Sequence, residues 1–251
     1  MDMDILLNKI KTLFEYRDFD HLYALGGLEP SVKERLEHNL ILLQQDIYFL
    51  DEYLESNWNL EKSELNSYWN RIHQSLSNLG VASKHYDDYS AHIYKYQKHE
   101  EQLRSPHDLL RLSIEYFYFY KSCDVKLLRR LIYDHAPKIA KSYSLADWRY
   151  FDLITEVNDD VEDLIEDLDT INGNRLQLSI TKYGIEEAKQ IFIAFIDRIG
   201  EQSKARAEQK NTKEYDSIHA KVIEQIDLTK SMLDKSLDMY VSIKSTKAQV
   251  G

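Results

Sequence analysis

Residues 32–55 read VKERLEHNLILLQQDIYFLDEYLE. Val32, Leu36, Leu40, Leu43, Ile47, Leu50 and Leu54 recur at spacings of three and four, the period of a helix with one buried stripe. The rest of the chain argues the same way. Its 251 residues hold only 7 Gly and 3 Pro, which leaves too few turns for a sandwich, a barrel or a doubly wound sheet. Long helices are the economical alternative, and the composition predicts one all-α domain over residues 1–251, built of about eight helices. A hydrophobic fraction of 43% with 18 Tyr, 8 Phe and 3 Trp is too rich for disorder.

Charge and cysteine content exclude several functions. The net charge is −11, which disfavours non-specific binding to nucleic acid or to anionic membrane. One cysteine supports neither a disulfide framework nor a cysteine-based zinc site. The opening MDMDILLNKI lacks the apolar stretch of a signal peptide, and no run approaches the length of a membrane span. The expectation is a cytoplasmic protein.

Outward from the quoted helix, a short helix is predicted over Asp4 to Glu15, then a loop over Asp18 to Gly27, with Pro30 opening the long helix. Further helices are predicted over Glu61–Leu79 and Ser83–Arg104. Ser105-Pro106 reads as the cap and first turn of a buried aromatic helix through Tyr120, which continues or kinks at Lys121-Ser122-Cys123 and ends before Pro137. Ser144–Thr170, Ile185–Gln209 and Lys213–Lys244 complete the set, with residues 245–251 frayed.

The most informative segment is Asn158–Asp169, NDDVEDLIEDLD. Seven of the eleven residues from Asp159 to Asp169 are carboxylates, and neither Lys nor Arg occurs between Arg149 and Arg175. Like charges at i,i+4, as in Asp159/Asp163 and Glu162/Glu166, each oppose an isolated helix by about 0.2–0.5 kcal/mol. Something positive is expected to offset them, and a hard divalent cation suits oxygen ligands. Ile154, Val157, Val161, Leu164, Leu168 and Ile171 form an apolar seam, with Asp152, Glu156, Asp159, Asp163 and Glu166 opposite. That pattern fits a solvated acidic face and equally an acidic face turned inward; periodicity does not choose. A second cluster, Asp51-Glu52-Tyr53-Leu54-Glu55, ends the long helix. Asp51 lies at the border of its apolar seam, in a stripe with Gln44, Tyr48 and Glu55, where a carboxylate is partly desolvated.

Asp159-Asp160-Val161-Glu162-Asp163 has the form DDxxD and resembles the second aspartate-rich motif of class I isoprenoid synthases: prenyltransferases, squalene and phytoene synthases and terpene cyclases. Asp51-Glu52-x-x-Glu55 looks like a degenerate first motif. Lys121-Ser122-Cys123 is similar in place to a family lysine that contacts diphosphate. Residues 172–178 (NGNRLQL) resemble the basic loop after the second motif, with Arg175 in its basic position. The resemblance covers about residues 30 to 200. It implies a helical bundle around a central cavity, Mg²⁺ as cofactor and an allylic prenyl diphosphate as substrate; a homodimer is also open to the chain.

The resemblance also implies roles. Asp159, Asp163 and Glu166 would ligate metal on one side, with Asp160 or Glu162 supporting them, and Asp51 and Glu55 would ligate on the other. Lys121 and Arg175 would contact the diphosphate, with Arg129-Arg130 a third contact or a surface pair. Neutralised diphosphate leaves as the C–O bond ionises, and a dry aromatic wall shields the cation. Tyr116, Phe117, Phe119 and Tyr120 are wall candidates, or simply core.

A non-catalytic helical interaction protein, or a pseudoenzyme on the same fold, is the rival reading. A di-iron bundle lacks its Glu-x-x-His pairs, and no Gly-x-Ser-x-Gly elbow supports a hydrolase.

Overall fold

The computed structural model describes residues 3–105 and 108–250. Among the described residues the chain is helical without strands, and eleven α-helices replace the expected eight: α1 (Met3–Tyr16), α2 (Phe19–Gly26), α3 (Pro30–Ser56), α4 (Lys62–Asn78), α5 (Tyr86–Glu101), α6 (Ile114–Lys121), α7 (Cys123–His135), α8 (Arg149–Glu162), α9 (Arg175–Tyr183), α10 (Ile185–Lys210) and α11 (Lys213–Val250). No helix among them is long and apolar enough to cross a membrane. The contacts divide into two compact units, residues 1–101 with 123–145, and residues 102–122 with 146–251.

The first unit is organised by α3. Leu36, Leu40, Leu43, Ile47, Leu50 and Leu54 are all buried, as their spacing predicts. Helices α1, α4, α5 and α7 pack on α3. Asp46 fastens α3 to α4, accepting from Ser75 Oγ at 2.6 Å and from Arg71 Nε at 3.0 Å. The loop expected over 18–27 is instead mostly helix α2. Asp18 and Gly27 take left-handed conformations at its two ends (φ 61° and 59°), so one short helix fits between two sharp bends. Gly26 must be small: a Cβ there would lie 2.7 Å from Ala136 Cβ.

In the second unit α8 packs against α6, α9, α10 and α11. Three expectations need correction here. The aromatic helix begins at Ile114, capped by Ser113, whose Oγ accepts from Tyr116 N; no helix among the described residues opens at Ser105, whose hydroxyl donates to Gln102 O. Pro106 lies outside the described residues. The acidic helix does not run to Thr170, because α8 ends at Glu162 and a 3₁₀ turn covers Glu166–Asp169. The last helix does not stop at Lys244 but runs on to Val250.

Candidate functional site

The end of α8 is shaped by one asparagine. The Asn174 amide nitrogen donates at 2.8 Å both to Asp160 O and to Asp167 Oδ2, while its Oδ1 caps α9 by accepting from Gln177 N. Asn172 donates to Asp167 Oδ1 at 2.8 Å. A terminal carbonyl of α8, an acidic turn and the start of α9 are therefore tied together, and the chain folds back where sequence periodicity would have continued the helix.

Asp160 sits at the centre of this arrangement, wholly buried. Its Oδ2 accepts from Tyr118 Oη at 2.8 Å and from Arg175 N at 2.7 Å, and its Oδ1 accepts from Lys121 Nζ. The Arg175 amide is the first of α9, so the carboxylate also lies at a positive helix end. Burial works against the Lys121 ammonium, but the negative charges of Asp160, Glu156 and Asp159 outweigh it and hold the group above the ordinary lysine pKa. Burial, reinforced by Asp160, raises the Tyr118 phenol well above its usual value. Lys121, Asp160 and Arg175, 39 and 15 positions apart in turn, thus meet in one cluster. Tyr118 was hidden in an aromatic run that reads as core, and nothing in the spacing marks its hydroxyl.

The Arg175 guanidinium is engaged by three backbone carbonyls. Nη1 donates to Leu109 O, and Nη2 to Leu110 O and Leu112 O. Its side chain clamps the 109–112 segment, a use that the sequence did not signal.

The acidic face of α8 is not a solvated surface. Asp152 and Glu156 are 3% and 4% exposed and Asp159 and Asp163 are half-buried, while Glu162 at the end of α8 and Glu166 and Asp169 in the turn beyond it are exposed. Of the proposed aromatic wall, Phe117 is buried, Phe119 and Tyr120 are half-buried, and Tyr116 is exposed.

Asp51 and Glu55 belong to the first unit. Asp51 is half-buried, and desolvation together with the charges of Glu55, Asp124 and Glu100 raises its carboxyl well above the usual range, against the pull of Lys9. Gln44 donates from Nε2 to Asp124 Oδ2 at 2.7 Å. Arg129 and Arg130 also lie in this unit and are not a surface pair. Arg129 is buried with its guanidinium over Phe19, while Arg130 bonds Asp88 and stacks on Tyr89.

Oxygen donors of this kind suit a hard cation in their chemistry. Among the described residues no three His, Cys, Asp or Glu side chains are grouped so as to hold a metal ion, and Asp160 already receives three donors. No chemical step is therefore assigned to Mg²⁺. Comparison with known proteins gives no match, whether to a family model, a curated protein or a solved structure.

Proposed function

We propose that the chain is an isoprenoid-synthase-like protein that takes the diphosphate end of an allylic prenyl substrate at its acidic helix. One observation carries this reading: the carboxylate face of α8 is turned inward, with Asp152 and Glu156 buried and Lys121 brought against the same helix. A helix whose carboxylates served only solubility would present them to water. In this reading Lys121 supplies positive charge to the departing diphosphate, Asp160 and Tyr118 hold Lys121 in place, and Arg175 shapes the loop beside it. Asp159, Asp163 and Glu166 are the carboxylates of the same unit that the resemblance would assign to Mg²⁺.

A second reading, a non-catalytic helical protein, is favoured by a specific observation. Lys121 and Arg175 are each engaged internally, by Asp160 and by three backbone carbonyls. Pyrophosphate release from geranyl, farnesyl and geranylgeranyl diphosphate, with and without Mg²⁺, separates the two. Mg²⁺-dependent release that disappears in Asp159→Asn and Asp163→Asn, both with parent-like circular dichroism, supports the enzyme. No release from any of the three, together with no thermal shift from Mg²⁺ and diphosphate, rules it out in favour of the non-catalytic protein.

A further inference from the structure

Helix α11 carries two apolar stripes, and its own unit buries one of them. Val222, Ile226, Leu233 and Leu237 are buried, on the side of α11 that packs against α8 and α10. Lys230 and Asp234 pair with Asp197 and Lys189 of α10. The second stripe lies away from those pairs. Leu228, Met232, Met239 and Ile243 follow one another at spacings of four, seven and four, which holds them within a sector of about 60° on a helix of 3.6 residues per turn. Leu228 and Met239 are 42% and 52% exposed, and Met232 and Ile243 are half-buried. This face shares no residue with the acidic helix and is independent of the reading above.

The stripe is its own complement. Its spacing reads the same in both directions, so a second copy can lie antiparallel to it about a two-fold axis that crosses the helix between Lys235 and Ser236. Leu228 then sits opposite the partner's Ile243, and Met232 opposite the partner's Met239. Charge agrees with the same axis. Lys235 and Asp238 are exposed and border the stripe on one side. Residues flanking the seam of two helices pair across it, and in the antiparallel arrangement each Lys235 meets the partner's Asp238. A parallel copy in register would instead set Lys235 against the partner's Lys235. A net charge of −11 opposes self-association, so a local match of opposite charges is what favours this face and this direction. Residues 228–243 make about 24 Å of helix. That is short for an obligate interface and places the contact in the weak, reversible class.

We infer that the chain forms a reversible antiparallel homodimer through this face of α11, with Leu228, Met232, Met239 and Ile243 at its centre and two Lys235–Asp238 pairs at its edge. Sedimentation velocity of the full chain, from about 1 µM to about 500 µM, is expected to show monomer passing into dimer, with a dissociation constant on the order of 10–100 µM. Met239→Glu changes an exposed position, so it keeps the parent's helical circular dichroism while weakening the dimer at least about tenfold. Lys235→Glu and Asp238→Lys each bring like charges together across the axis, and each weakens it by about tenfold. Mixed in equal amounts, these two variants recover dimerisation close to the parent's, because every altered charge then meets its opposite on the other chain. A parent that stays monomeric at about 500 µM overturns the inference. So does a dimer that Met239→Glu leaves intact, or a mixture that associates no better than the single variants.

Discussion

The ammonium of Lys121, the last residue of α6, donates to the carboxylate of Asp160 on α8, and the carboxylate is completely buried while the lysine side chain keeps 20% of its exposure. The pair answers the charge problem posed by the acidic sequence: part of the missing positive charge is supplied from another helix of the same unit. Removing one member leaves the other charge desolvated, which for buried pairs costs about 3–5 kcal/mol. Lys121→Met is expected near the lower end, because the lysine is partly exposed, and Asp160→Asn within the range. The double variant costs less than the two single losses added, since neither charge remains. Urea unfolding of the four proteins measures this, and additive losses would show that the pair is not coupled.

Asp167 gives a pH dependence whose sign can be worked out. Desolvation raises it to about 6, against the Asn174 hydrogen bond and the charge of Lys121. The folded protein therefore holds this proton more tightly than the unfolded chain, whose aspartate titrates near 3.8. The stability contributed by protonated Asp167 is complete below about pH 4, is lost as pH rises to about 6, and is flat above that. Its size is on the order of 3 kcal/mol. Measured as the difference between the parent and Asp167→Asn, the parent loses relative stability from pH 4.5 to pH 7. A difference that is constant, or that grows with pH, refutes the burial of an ionised Asp167 as the cause.

How much of this was legible in the sequence depended on whether the determining contacts were local. The α3 stripe is a local pattern, and every leucine and isoleucine in it from Leu36 to Leu54 is buried. Helix α2 was missed because its limits are set by left-handed residues, and Asp18 does not announce one as glycine would. The end of α8 was missed because it depends on Asn174 reaching back across 14 and 7 residues. The desolvation of Asp51 follows from its place at the seam border and was legible. The inward turn of Asp152 and Glu156 was not, because one helical wheel describes both a solvated and a buried acidic face.

Arg175 tests whether geometry or charge matters in the loop after α8. Its guanidinium donates to three carbonyls of the 109–112 segment, at 3.0 Å, 3.3 Å and 2.6 Å. Lysine keeps the charge but cannot present a planar fork, so it leaves some of these partly buried carbonyls without a protein partner. Arg175→Lys is expected to destabilise by about 1 kcal/mol, since partly buried carbonyls fall at the lower end of the range for unsatisfied polar groups. Hydrogen exchange should quicken selectively in residues 109–112 and in the first turn of α9. Parent-like protection there would mean that the carbonyls do not depend on the clamp.

Gly26, the last residue of α2, lets α2 pack close against Ala136. A Cβ on it would stand 2.7 Å from Ala136 Cβ and 3.7 Å from the Ile139 side chain, and both neighbours are buried. Real Cβ atoms do not approach so closely, so Gly26→Ala must push α2 away from the segment after α7. Overpacking of this kind costs about 1–3 kcal/mol, and the better helix propensity of alanine returns at most about 1 kcal/mol. A net loss is expected in the denaturation midpoint. The decisive comparison is the double variant Gly26→Ala with Ala136→Gly, which moves the single methyl group from one side of the contact to the other. Recovery of most of the lost stability identifies the steric contact as the cause. A double variant less stable than Gly26→Ala alone would show instead that the glycine is required for its backbone and not for its size.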